Sequence, residues 1–200
     1  MNQVNVGIVG LGTVGSGTLA ILVENAGKIA EKLGFRLHVR ALCDLLVDTK
    51  TLPAMSEPVL KTKDWRELVT HPEVQIVVEL VGGTKVAREV IDAAIASGKS
   101  VVTANKELMG LAGADIWEKA IAAQVNIAME ASVAGGIPIH TVLREGISGD
   151  RIVALYGILN GTSNYILSEI ERHGSSFETV LAEAQKLGYA EAEPSLDIDG

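Results

Sequence analysis

The segment Gly10-Leu11-Gly12-Thr13-Val14-Gly15 has the spacing G-x-G-x-x-G, and the chemistry such a loop can do is anion binding. Glycines there allow a tight turn and close approach of the backbone to a pyrophosphate, while a helix opening through Thr13 and Val14 offers unpaired N–H groups and a positive dipole end. The spacing alone also fits a turn packed for structural reasons; a strand before it and a helix after it make it a dinucleotide site. The end of the second expected strand then bears on the cofactor. Asp44 could accept hydrogen bonds from a ribose 2′-hydroxyl, as NAD requires, although it lies farther from Gly15 than the usual spacing of roughly 20 residues. Arg40 could accommodate the 2′-phosphate of NADP, or be a solvated or paired strand residue. NAD and NADP both stay open.

Lys106 follows an expected strand at the carboxyl edge of the sheet, where ligands of open α/β folds bind. Its ammonium could reach a cofactor or a reacting oxygen, or be a surface charge at a strand end. Cys43 is the single cysteine, so it has no partner for a disulfide, and its place at the end of the second strand suits it poorly for attack on a carbonyl. His38, His71, His140 and His173 are scattered without close pairing and form no catalytic set. No Cys/His pair has the spacing of a zinc site.

The elements that must position these residues alternate. Val4 to Val9 is a short apolar run, and from Val14 the pattern turns helical, with Leu19, Leu22, Val23, Ala26, Ala30 and Leu33 on one face and Gly34 as the stop. Phe35 to Asp44 is expected as the second strand, and 45–63, holding Pro53 and Pro58, as an irregular loop. A short helix over Asp64–Thr70, a strand over Val74–Val81, a helix over Val86–Ser97, a strand over Ser100–Ala104, a helix over Ala112–Gln124 and a strand over Asn126–Met129 follow. This order predicts a Rossmann-type, mostly parallel sheet with helices on both faces. After Glu130 the texture changes. Ser132–Gly136 is a small-residue loop, and Pro138 suits the first turn of a helix through Glu145. A strand over Arg151–Leu159, a helix over Thr162–Arg172, and a Ser175-Ser176-Phe177-Glu178 capping box opening a helix that ends at Gly188 complete the pattern. The domains expected are 1–130, binding a dinucleotide, and 131–200, an incomplete α+β substrate domain.

Bulk properties narrow the field. The net charge of −8 and pI near 5.0 offer no basic surface for nucleic acid. No stretch approaches the roughly 20 apolar residues of a membrane span, and the start has no leader pattern. The 48% hydrophobic content fits strands buried on both faces, and a lone cysteine fits a reducing cytoplasm.

Three later stretches are specific: Thr103-Ala104-Asn105-Lys106, Glu130-Ala131-Ser132-Val133-Ala134-Gly135-Gly136-Ile137-Pro138-Ile139, and Gly157-Ile158-Leu159-Asn160-Gly161-Thr162-Ser163-Asn164-Tyr165-Ile166-Leu167. With the glycine loop, Val78-Glu79-Leu80-Val81-Gly82-Gly83 and Leu187-Gly188-Tyr189-Ala190-Glu191-Ala192-Glu193-Pro194, they resemble homoserine dehydrogenases in order and spacing. The resemblance implies NAD(P)-dependent interconversion of L-aspartate 4-semialdehyde and L-homoserine, on the route to threonine, methionine and isoleucine. It puts Lys106 at the junction of nicotinamide and substrate, with Thr103 among the cofactor-binding residues. It implies a monovalent cation, usually sodium, held by Glu130 and the carbonyls of Val133, Gly135 and Ile137; from residue type alone Glu130 could as well be a helix cap or a salt-bridge partner. Glu191 corresponds to the carboxylate that meets the substrate ammonium, and Asn160, Gly161 and Thr162 to the pocket wall, although Thr162 or Ser163 could serve only as an N-cap. Glu193, Asp197 and Asp199 share the same acidic segment. Relatives form homodimers through the substrate domain. Their acid/base lysine would fall beyond Gly200, so these residues alone are expected to bind cofactor with little turnover. A different oxidoreductase on the same fold, or a non-catalytic dinucleotide-sensing module, are the competing readings.

Overall fold

The computed structural model describes residues 2–154, 156–157, 161–187 and 189–190. The chain groups into two compact units, Met1–Thr141 and Val142–Gly200.

The first unit is a six-stranded, wholly parallel sheet in the order β3-β2-β1-β4-β5-β6. Its strands are β1 (Gln3–Val9), β2 (Arg36–Cys43), β3 (Leu60–Thr62), β4 (Ile76–Glu79), β5 (Ser100–Thr103) and β6 (Ile127–Ala128). The direction of winding reverses between β1 and β4, which opens the crevice where ligands of such sheets bind. Both faces are covered, as buried parallel strands require. One core joins Val6, Ile8, Val39, Leu42 and Val78 to Leu19 of α1 (Thr13–Glu24). The other joins Val77 and Val101 to Leu68 of α3 (Trp65–Thr70), Ile91 of α4 (Lys85–Ala96) and Ile116 of α5 (Lys106–Ala122). Gly7 is where α3 seats, because a Cβ there would lie 2.6 Å from Leu68.

Several expectations need correction. The first helix is two: α1 ends at Asn25 and α2 (Ala26–Leu33) begins after it. Asparagine is a poor helix former whose side chain competes for backbone groups, and Leu33 at the far end is left exposed. Gly34 does close α2, in the left-handed conformation that glycine adopts without strain. The irregular 45–63 segment contains β3 and a 3-10 turn, Val47–Thr49. α5 starts at Lys106, six residues before the expected Ala112, because Asn105 caps it by accepting the Leu108 N–H at 3.0 Å. The helix expected after Pro138 is a short turn, α6 (Ile139–Thr141), running into a π-helical turn, Val142–Gly146.

In the second unit, α7 (Gly161–His173) and α8 (Phe177–Leu187) pack through Ile166, Val180, Ala184 and Ala190. Ser176, not Ser175, caps α8, its hydroxyl accepting the Thr179 N–H at 3.3 Å. No strand forms among the described residues of Arg151–Leu159. Val153 and Tyr156 there are 90% and 92% exposed, since a strand needs a neighbour to satisfy its backbone and the described part of this unit contains none.

Candidate functional site: a dinucleotide crevice

The glycine loop spans the end of β1 and the start of α1, directly over the winding reversal. Gly10 has φ 96°, a left-handed value, and its N–H donates to the Cys43 carbonyl at 2.8 Å. A Cβ on Gly10 would stand 2.5 Å from the Leu80 carbonyl oxygen, and one on Gly15 would collide with the Gly10 carbonyl. Gly12 faces open space. Each glycine thus has a different reason: turn conformation at Gly10, helix-to-strand packing at Gly15, and a cleared approach at Gly12. No side chain caps the start of α1, and its first turn, with Thr13 and Val14, has no acidic residue. Its N–H groups are therefore available to an anion.

Asp44 lies at the end of β2, where a ribose-binding carboxylate belongs. Its Oδ2 accepts the Leu11 N–H at 2.7 Å and its Oδ1 the Leu46 N–H at 2.8 Å. Burial works to raise its pKa, but those two hydrogen bonds and nearby Lys50 outweigh it and hold the carboxyl below the usual 3.8. An ionised carboxylate has about four acceptor positions, so the clasp leaves room for a hydroxyl. Arg40 is not brought to this edge. It sits within β2 with its guanidinium on Glu73, Nε at 2.8 Å and a terminal nitrogen at 2.7 Å, and on the Pro58 carbonyl at 2.8 Å. Glu73 precedes β4 and Pro58 precedes β3, so the side chain is turned to the amino end of the sheet, away from the glycine loop. Cys43 is buried, and desolvation with the charges of Asp44, Asp64 and Glu67 pushes its thiol up to about 11. It is no nucleophile.

Beyond β1 the crevice is built by a network that pattern reading missed. Glu79 ends β4 at 0% exposure and pairs in register with Val9 on one side and Thr103 on the other. Its Oε1 accepts the Val81 N–H at 2.9 Å, and its Oε2 the Thr103 hydroxyl at 2.7 Å. Thr103 Oγ1 in turn accepts the Asn105 N–H at 3.0 Å, and Asn105 Nδ2 donates to the Gly83 carbonyl at 2.7 Å. The loops after β4 and β5 are thereby tied together, and Lys106 leaves them as the first, exposed residue of α5. The available signal was a carboxylate at the end of an otherwise apolar strand run, which burial without partners would make costly.

Glu130, expected as a cation ligand, grips the start of α6: Oε1 accepts the His140 N–H at 2.9 Å, and Oε2 the Thr141 N–H at 3.0 Å and hydroxyl at 2.8 Å. Burial works against ionisation, but these bonds win and hold its pKa low. Ala134, Gly135 and Gly136 all have positive φ, and the Ile137 carbonyl accepts the Ile139 N–H at 2.8 Å. Among the described residues no cluster of three His, Cys, Asp or Glu side chains is placed to hold a metal. In the second unit Gly161 opens α7, while the buried Thr162 donates its hydroxyl to the Tyr189 carbonyl at 2.6 Å. Thr162 is therefore a fastening between the ends of α7 and α8. Asn160, Glu191, Glu193, Asp197 and Asp199 lie outside the described residues.

A parallel sheet wound both ways from a glycine loop, with an acidic clasp after β2, defines a dinucleotide-binding domain. A family model described as "Homoserine dehydrogenase, NAD binding domain" matches residues 10–130, and a second, "Homoserine dehydrogenase", matches 138–200. The chain belongs to the homoserine dehydrogenase family. It is 48% identical over its whole length to a homoserine dehydrogenase of Neisseria gonorrhoeae and 46% to one of Pseudomonas aeruginosa, covering 46% and 45% of those proteins. The crystal structure of a homoserine dehydrogenase from Thiobacillus denitrificans superposes with a TM-score of 0.89 at 47% identity, over 99% of this chain and 46% of that one. A hyperthermophilic archaeal homoserine dehydrogenase in complex with NADPH superposes with a TM-score of 0.79 at 28% identity, over 99% of this chain and 65% of that one. The chain thus spans about half the length of the curated relatives it matches.

Proposed function

We propose that these residues form the cofactor half of an enzyme interconverting L-aspartate 4-semialdehyde and L-homoserine with NAD(H) or NADP(H), in the synthesis of threonine, methionine and isoleucine. The observation that carries this reading is the Asp44-clasped glycine loop, with open space at Gly12, beside the Glu79–Thr103–Asn105 network from which Lys106 projects. Gly10, Gly12, Thr13, Val14 and Gly15 receive the pyrophosphate, Asp44 meets the adenosine ribose, and Thr103 and Lys106 border the nicotinamide. The dinucleotide supplies the hydride when bound. Lys106 places a positive charge near the oxygen on which negative charge develops, which favours the alkoxide-like transition state. By the family resemblance, Asn160 and Gly161 belong to substrate recognition and Glu191 supplies a counter-charge for the substrate ammonium.

Two further assignments belong to this reading. Glu130 with the carbonyls of Val133, Gly135 and Ile137 holds a sodium ion; carbonyl and carboxylate oxygens have lone pairs to spare beyond the bonds they make here. Residues 142–200 contribute to a homodimer, for which the exposed Val153 and Tyr156 provide apolar surface. No helix among the described residues is long and apolar enough to cross a membrane, and a free buried thiol suits a reducing cytoplasm.

The deciding experiment has two parts. Calorimetric titration of the chain with NAD, NADP and their reduced forms should show binding, and absence of binding by all four refutes the cofactor site. Homoserine-dependent reduction of NAD and NADP, assayed on this chain and on one lengthened to the span of its relatives, should appear in the longer protein. Its absence there would exclude the reaction.

A further inference from the structure

Glu79 makes more of its position than a fastening needs. A strand buried on both faces would ordinarily end in an apolar residue, and a carboxyl group at 0% exposure must be compensated or it destabilises the fold. Its compensation comes from uncharged groups, the Val81 N–H and the Thr103 hydroxyl. Thr103 Oγ1 accepts the Asn105 N–H and donates to Glu79 Oε2, and the Val81 N–H donates to Oε1, so each carboxyl oxygen receives a hydrogen bond, the arrangement a carboxylate takes.

The place matters as much. In a sheet of this winding the adenosine half of a dinucleotide lies over the β2 side of the reversal and the nicotinamide half over the β4 side. Glu79 is the last residue of β4, flush with Val9 and Thr103 at the carboxyl edge. The next residue, Leu80, supports Gly10 of the pyrophosphate loop. We propose that Glu79 is a buried negative charge beneath the nicotinamide half of the crevice that favours the oxidised, positively charged ring over the reduced, neutral one.

The inference rests on the dinucleotide reading above, and it predicts something that reading does not: a dependence of affinity on cofactor oxidation state. An unscreened charge in a protein interior acts with enough strength to shift the relative affinity on the order of tenfold. A purely structural fastening would alter both forms alike.

The test is titration of the chain with NADP⁺ and NADPH, and with NAD⁺ and NADH, before and after Glu79→Gln. We expect the oxidised forms to weaken about tenfold relative to the reduced ones. Equal change in both forms, or none in either, overturns the proposal while leaving the cofactor site intact. Glu79→Asp keeps the charge on a shorter arm and should preserve the oxidised-to-reduced ratio even where both affinities fall; a shifted ratio overturns the proposal too. If the glutamine variant does not fold, Glu79→Leu removes the charge without leaving an unpaired amide and should shift the ratio the same way; an unchanged ratio overturns the proposal. If the unaltered chain binds no dinucleotide, the parent reading fails first and this inference with it.

Discussion

Asp44 Oδ2 accepts the backbone N–H of Leu11 at 2.7 Å, so the end of β2 holds the middle of the glycine loop across 33 residues of sequence. The residue best placed to meet the ribose is also the one that shapes the pyrophosphate cradle. Asp44→Asn would set an amide group against one of two N–H donors, Leu11 or Leu46. NAD affinity should drop about tenfold, the cost of one unsatisfied group, while NADP, whose 2′-phosphate a carboxylate opposes, should lose less, as titration would show.

The same contact sets an acid sensitivity. Burial alone would raise the Asp44 pKa, yet the Leu46 and Leu11 N–H groups and Lys50 bring it below 3.8. A carboxyl depressed in the fold contributes stability that is fully present above 3.8 and is lost as pH falls through the lower folded value. Melting temperatures of the unaltered chain and Asp44→Ala should differ at neutral pH, and the gap should close only below 3.8.

The glycines separate folding from binding. Gly12→Ala adds a methyl group where nothing lies within 4 Å, so the melting temperature should hold while dinucleotide affinity falls. Gly15→Ala drives a methyl group into the Gly10 carbonyl and should cost more than about 2 kcal/mol, seen in denaturant unfolding.

Asn105→Ala removes both the cap of α5 and the tie to Gly83. A loss of about 1 kcal/mol is expected from the cap. Amide exchange should quicken at Leu108 while leaving α4 unaffected.

Cys43, with its thiol near 11, should resist iodoacetamide around neutral pH and react only when the fold opens. Ready labelling of the native chain would contradict its buried position.

The sequence disclosed elements with strong periodicity and clear punctuation: β1 before its glycines, α3 behind Asp64, and α4 between Gly83 and Gly98. It concealed those decided by tertiary contacts. β3 has three residues and exists because Ala41 to Cys43 offer a ladder beside it. Gly110 and Gly113 blurred the start of α5, while Asn105, which fixes that start, acts through a single side-chain bond. Among site residues, the glycines declared themselves by spacing. Arg40 could not, because its partner Glu73 is distant in sequence and only the fold shows which end of the sheet it faces. Thr162 was legible as important but not as a fastening, since Tyr189 lies a whole helix away.

The outermost strands, β3 and β6, are only three and two residues long. An unpaired edge recruits foreign chains in proportion to the row of free N–H and C=O groups it displays. Here that row is too brief to template growth in either direction. Among the described residues, association through this sheet must therefore be written in side chains rather than in a shared backbone ladder.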